Sequence, residues 1–216
     1  MCGKFTQLAS WRQVNAFSQP LIAQPGDQIV MSTPMRDASV LHLDAEGRRT
    51  VSQMRWGFAD RRSRTPLDRP KHMHARAETI DTLPTFAGPF ASGRGIVLVQ
   101  TFNVGQEMPN GKTKQWTITP QGGHPIAIGV IYERWASEAG DELLTFAMVT
   151  TPANTLISTV TDRMPAIIPA DHWATWLGET DISPAEVKRL LKTYEIDGVI
   201  QPQGLAIRSA VEPTLL

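Results

Sequence analysis

The sequence predicts an α+β fold in which a mixed or antiparallel β-sheet forms a partly closed barrel with flanking helices. Three observations lead there. Most of the chain is a succession of short β-branched or alternating runs separated by turn residues, the C-terminal third shifts to helical punctuation, and strands and helices do not alternate regularly. With 216 residues, 41% of them hydrophobic and 19% charged, the chain suits a single soluble domain over 1–216 with a sizeable core.

Taken in order, Ser10 to Ser18 places Trp11, Val14 and Phe17 at helical spacing and predicts a first helix. Gln28–Ser32, Ser39–Asp44 and Thr50–Trp56 alternate or run β-branched between turns and predict strands. Asp60 to Lys71, polar and rich in Arg and Pro, predicts an exposed loop. Glu78 to Phe90 holds a short helix, broken near Pro84 and Pro89. Arg94–Thr101 gives the strongest buried-strand signal, and Gln115–Thr119, Pro125–Tyr132 and Leu143–Thr150 follow as strands, the first after a turn at Asn110-Gly111. Pro169–Leu177 predicts a short helix stopped by Gly178, and Ser183, Pro184 and Glu186 supply the N-cap, first position and capping-box partner of another. Trp116, Trp135, Trp173, Trp176 and Phe102 are expected in the core or in helix packing.

Formal net charge is zero, which argues against a protein held to nucleic acid by bulk charge. The distribution is uneven. Arg55, Arg61, Arg62, Arg64, Arg69, Lys71 and Arg76 are opposed within their segment only by Asp60 and Asp68. Such a run reads either as a solvated loop or as a local phosphate-binding stripe. No apolar run reaches the length of a membrane span, and Met1-Cys2-Gly3-Lys4-Phe5 lacks the apolar region of a secretory signal. The single cysteine allows neither an intramolecular disulfide nor a cysteine-rich zinc site, and a reducing, cytoplasmic compartment is expected. His72 and His74 could share a strand face, but no further ligand stands at motif spacing, so no metal and no cofactor is expected.

Position 2 gives Cys2 a chemistry that internal cysteines lack. With Met1 removed, it carries an α-amine and a thiol on adjacent carbons, groups that ordinarily titrate near pH ~8 and ~8.5. The amine can attack an aldehyde to give a Schiff base, and the thiolate can then close on the imine carbon to form a five-membered thiazolidine. The ring-opened form of a DNA abasic site offers such an aldehyde.

Five blocks place this chemistry in a family. Met1-Cys2-Gly3-Lys4-Phe5, Trp56-Gly57-Phe58, Ala75-Arg76-Ala77-Glu78-Thr79, Val149-Thr150-Thr151-Pro152-Ala153-Asn154 and Asp162-Arg163-Met164-Pro165 follow the order and spacing of the SOS response-associated peptidase (SRAP) family over roughly residues 1–170. The chain resembles a divergent member. The resemblance implies a monomer that self-removes Met1, binds single-stranded DNA and forms a thiazolidine cross-link through Cys2 at an abasic site. It implies Cys2, His74 and Thr161 at the catalytic positions and Lys4, Arg76, Thr150 and Arg163 toward DNA.

The departures fall on the chemistry. The family asparagine before Ala-Arg is His74, its acid–base glutamate is Val104, with Glu107 out of register, its histidine before Asp-Arg-Met-Pro is Thr161, and its early asparagine is Ile22, ahead of Pro25. Losing a positioned acid–base group typically costs about 10²–10⁴-fold in rate, so cross-linking is expected to be slow or lost. His74 can carry some proton transfer because its ordinary pKa lies near neutrality. Arg76 reads as an ion-pair partner of Glu78 or, by resemblance, as facing a DNA phosphate; Arg163 reads as facing DNA or as paired with Asp162 or another carboxylate. Two further readings stand beside the first. One is a catalytically silent single-stranded DNA-binding module. The other is a class II N-terminal-cysteine amidotransferase or hydrolase, whose opening Met-Cys-Gly and His-x-Arg elements are similar to Met1-Cys2-Gly3 and His74-Ala75-Arg76, although Asn110-Gly111 reads as a hairpin turn rather than an oxyanion element.

Overall fold

The computed structural model of the chain describes residues 2–7, 30–63, 65, 72–123 and 125–203. The expected helix at Ser10–Ser18, Ile22, Pro25 and most of the Arg- and Pro-rich loop lie outside these residues. The described strands form two sheets. The first contains β1 (Cys2–Gln7), β2 (Val30–Ser32), β7 (Thr101–Glu107), β8 (Thr113–Pro120) and β12 (Gly198–Pro202), in the antiparallel order β12–β8–β7–β1–β2. The second contains β3 (Asp37–Leu43), β4 (Arg49–Trp56), β6 (Arg94–Val99), β9 (Ile126–Ala136) and β10 (Glu142–Pro152), joined in the order β10–β4–β3–β6–β9 and closed by pairing of β9 with β10. The expected α+β barrel is therefore present, as a closed ring of five staves.

Alternation along the staves separates two apolar clusters. Ile96 and Leu98 of β6 join Leu41, Ala147 and Val149 beneath the helices α1 (Pro84–Ser92), α2 (Trp173–Leu177) and α3 (Pro184–Lys188). Val97 and Val99 join Val40, Met54, Trp56, Phe146 and Met148 in the other cluster, where β1 and β7 add Cys2, Phe5, Phe102 and Val104. Gly129 lets α2 approach β9 closely, since a Cβ there would lie 3.2 Å from a ring atom of Trp176. The Trp176 Nε1–H donates to the Gly95 carbonyl at 2.8 Å, which satisfies the indole inside the apolar layer.

Local signals explain most boundaries. Asn110-Gly111 turns β7 into β8, with Gly111 at φ 74°. Gly178 ends α2 at φ 99°, and Ser183 with Glu186 forms a complete capping box on α3, with Pro184 at the first position. Trp173 and Trp176 are buried, as are Trp135 and Phe102, whereas Trp116 is half-buried under the Lys114 ammonium, 4.2 Å from the ring centroid.

Two expectations need correction. The helix around Pro84 is not broken there: Pro84 begins it, where the missing N–H has no partner to lose. Pro89 lies inside the same helix, flanked by Phe86 and Phe90, whose burial offsets the lost hydrogen bond. Five strands, β1, β5 (His74–Arg76), β7, β11 (Arg163–Pro165) and β12, lie beyond the expected strand segments, and β5 and β11 are too short for a period to show.

Truncating Trp176 removes a fully buried indole and its hydrogen bond. Trp176→Ala is expected to cost about 3–5 kcal/mol, read as a lowered midpoint in urea unfolding.

Candidate functional site

Cys2 opens β1 near the middle of the first sheet, where it is 1% exposed. Its register partner on β7 is Val104, itself fully buried, so the carboxylate position implied by resemblance is occupied by an isopropyl group. The register slips between Cys2 and Lys4, and in this irregularity the Cys2 thiol donates to the Lys4 carbonyl at 3.4 Å. Burial raises the thiol pKa from 9.0 to about 11, so near neutral pH Cys2 is held as the protonated thiol.

The Cys2 main chain is gripped from the second sheet. His74, the first residue of β5, brings Nε2 to 2.6 Å from the Cys2 carbonyl oxygen. A carbonyl can only accept, so Nε2 carries the hydrogen and Nδ1 the lone pair. The edge of the imidazole meets Trp56, with ring centroids 6.0 Å apart at 86°, and the Trp56 indole N–H donates to the neighbouring Met73 carbonyl at 3.0 Å. Burial pushes the His74 pKa down from 6.5 to about 4, against the opposing effect of its hydrogen bond to Cys2. At neutral pH the ring is a neutral donor through Nε2.

The parallel pairing of β5 with β10 orders the rest. Met148, Val149 and Thr150 lie in register with His74, Ala75 and Arg76. Ala75 enters the helix-side cluster, so His74 and Arg76, two residues apart, share the opposite face. Arg76 is exposed and has no carboxylate within ion-pair distance among the described residues. Thr150 is buried, and Arg163, from β11, donates through Nη2 to its carbonyl at 2.7 Å and its hydroxyl at 3.2 Å. The same guanidinium forms a two-pronged ion pair with Glu78. This hydrogen bonding, foremost, lowers the Glu78 pKa, with a further contribution from the Arg76 charge. Glu78 is thus the partner of Arg163 rather than of Arg76, and Asp162 instead uses its main-chain carbonyl to accept from Ala153.

Of the residues singled out in the sequence, His74, Arg76, Thr150 and Arg163 converge at the end of β10, with His74 touching Cys2. Lys4 meets the thiol only through its carbonyl. Thr161 lies in the turn before β11, its N–H bound to the Ile157 carbonyl at 3.1 Å. Sequence reasoning missed Trp56 as the wall of His74 and Glu78 as the anchor of Arg163, although both stand inside blocks that carry the resemblance. Among the described residues no group of three or more His, Cys, Asp or Glu side chains could hold a metal.

Comparison with known proteins gives this geometry a context. The family model described as SOS response associated peptidase (SRAP) matches residues 1–203. The chain is 26% identical over 199 residues to the Bacillus subtilis protein named abasic site processing protein YoaM, spanning 91% of this chain and 88% of that one. Two solved structures share the fold: a Bacteroides thetaiotaomicron protein with TM-score 0.77 and 22% identity, covering 92% and 91% of the two chains, and a Bordetella bronchiseptica protein with TM-score 0.76 and 19% identity, covering 93% and 99%.

A neutral, buried His74 makes a prediction about acid. Because its folded pKa lies below the unfolded value, the unfolded chain binds the extra proton first. The contribution of His74 to stability is therefore complete above pH 6.5 and falls as pH drops toward about 4. An NMR titration of the ring nitrogens is expected to show the Nε2–H tautomer persisting to below pH ~5.

Proposed function

Since the chain belongs to the SOS response-associated peptidase family, we propose that it is an abasic-site processing protein that holds single-stranded DNA against Cys2 and captures the ring-opened aldehyde there. The observation that carries this reading is the hydrogen bond from His74 to the Cys2 carbonyl, with the exposed Arg76 on the same face of the same short strand. A cation one strand repeat from His74, the residue that grips Cys2, suits a DNA phosphate beside the abasic position. Arg163, already spent on Glu78 and Thr150, serves as a brace for that strand end.

Capture requires that Met1 be removed, freeing the α-amine of Cys2. The amine adds to the aldehyde carbon, water leaves as the imine forms, and the Cys2 sulfur then bonds to the same carbon while its proton passes to the nitrogen. Burial holds the His74 pKa near 4, so the ring is a weak proton acceptor here, contrary to the expectation from its ordinary pKa, and it acts by orienting the Cys2 main chain. Two features make the reaction slow. The thiol lies in apolar surroundings with its pKa pushed up to about 11, and Val104 can neither give nor take a proton where a carboxyl group could. A site lacking that group is expected to run about 10²–10⁴-fold below one that has it. The same burial favours the second reading, a module that binds single-stranded DNA without reacting.

With a labelled single-stranded oligonucleotide containing one abasic site, a denaturing gel is expected to show a slowly accumulating adduct that Cys2→Ala abolishes while native-gel binding persists. Binding without any adduct would favour the silent module, and absence of both would reject the proposal. Arg76→Ala is expected to weaken single-strand binding and to lower the slope of log K against log salt by about 0.7. As an exposed substitution, it should change folding stability by less than about 0.5 kcal/mol.

A further inference from the structure

The Cys2 site occupies one end of the barrel. At the other end, where β4, β6 and β10 begin and β3 and β9 finish, lies a cavity of about 680 Å³. Barrel mouths are frequent small-molecule sites. Its wall includes His42, Thr50, Ser52, Arg94, Tyr132 and Arg134, none of which takes part in the site at Cys2.

His42 and Ser52 form an oriented pair in this wall. His42 Nδ1 lies 2.8 Å from the Leu43 carbonyl oxygen, and Nε2 lies 2.8 Å from Ser52 Oγ. The carbonyl can only accept, so Nδ1 carries the hydrogen, Nε2 bears the lone pair, and the Ser52 hydroxyl is the donor. The Tyr132 ring stands edge-on to the imidazole at 5.0 Å and 60°, fixing it from β9. Burial also lowers the His42 pKa and keeps the ring neutral. Ser52 itself is only half-buried. A hydroxyl hydrogen-bonded to a neutral imidazole, whose other nitrogen is held by a third group, is the arrangement that activates a nucleophile.

The charge of the cavity selects the ligand. Arg94 donates through Nε to the Trp176 carbonyl at 2.5 Å and through Nη1 to the carbonyls of Phe90 and Ala91, each at 2.6 Å. The ends of α1 and α2 thus pin its guanidinium, and no carboxylate lies within ion-pair distance of it among the described residues. The other charges at the rim are already matched: Arg134 by Glu142 at 2.6 Å and Asp44 by Arg48 at 3.0 Å. Among the described residues, the Arg94 charge is thus met by helix-terminal carbonyls and has no carboxylate counter-ion in the cavity wall.

From this arrangement we infer that the second barrel mouth is an acyl-transfer site for a small ester bearing a negative charge, with Ser52 as nucleophile and His42 as general base. Ser52 Oγ bonds to the ester carbonyl carbon as His42 Nε2 takes the hydroxyl proton. The bond to the alcohol oxygen breaks, and His42 returns the proton to that oxygen. Water, deprotonated by His42, then cleaves the acyl–Ser52 bond, giving the free acid and restoring the serine. Arg94 holds the anionic group of the substrate.

The test uses the full chain and a fluorophosphonate, which bonds to an activated serine with loss of fluoride. Peptide mass mapping is expected to find the phosphonyl group on Ser52. Labelling should slow at least ~10²-fold in His42→Gln and be unchanged in Cys2→Ala. Succinate should protect Ser52 in the unmodified chain, which tests the anion preference without any variant, and 4-nitrophenyl hemisuccinate should be hydrolysed by the wild type and not by Ser52→Ala. No adduct on Ser52 of the wild-type chain, or equal labelling in a folded His42→Gln, would overturn the inference. Neither result bears on cross-linking through Cys2.

Discussion

Strand β10 sets the architecture because its backbone is buried over most of its length and every N–H and C=O in it needs a partner. Its first half finds them in the barrel, with β9 on one side and β4 on the other. The barrel pairing stops at Met148, but the strand continues to Pro152. The remaining groups are met by β5, β11 and the residues flanking them: Met148 N–H by the Met73 carbonyl, Thr150 carbonyl by Ala77 N–H, and Val149 carbonyl by Ala166 N–H, each at 2.9 Å. Two three-residue strands exist because β10 outruns its staves. They carry His74, Arg76 and Arg163, so the hydrogen bonding that completes the sheet also assembles the site.

The same packing sets the protonation of Cys2. Its place between Val104 and the cluster containing Met148, Met164 and Trp56 gives β1 a secure anchor in the first sheet. An apolar neighbourhood stabilises a neutral thiol over a thiolate, and it likewise keeps His74 uncharged. The site is therefore held in a resting state in which neither group carries a charge. Burial that secures the strand opposes ionisation of the thiol, and the buried Val104 opposite Cys2 adds to that apolar surround.

What the sequence makes legible follows from where the determining forces act. The long staves read correctly because their alternation is imposed by two apolar clusters, and the capping box at Ser183 and the turns at Gly111 and Gly178 read correctly because they are local chemistry. β5 and β11 were hidden because their conformation is dictated by a partner about seventy residues away for one and a dozen for the other, not by their own three residues. Cys2, His74, Arg76, Thr150 and Arg163 stand in or beside the blocks of resemblance. The pairing of Arg163 with Glu78 was hidden because it depends on β5 and β11 flanking the same end of β10, which no local pattern encodes.

Under the proposed function, Cys2, gripped through its carbonyl by His74, is a working though slow trap for an aldehyde in single-stranded DNA. Intact-mass spectrometry of the purified chain, alone and after long incubation with a single-stranded abasic oligonucleotide, tests it most directly. The expected result is a protein lacking the mass of Met1 and, after incubation, a covalent species equal to that protein plus the oligonucleotide minus one water. A chain that keeps Met1 and gains no DNA mass, while a reference aldehyde-reactive amine labels the same oligonucleotide, would contradict it.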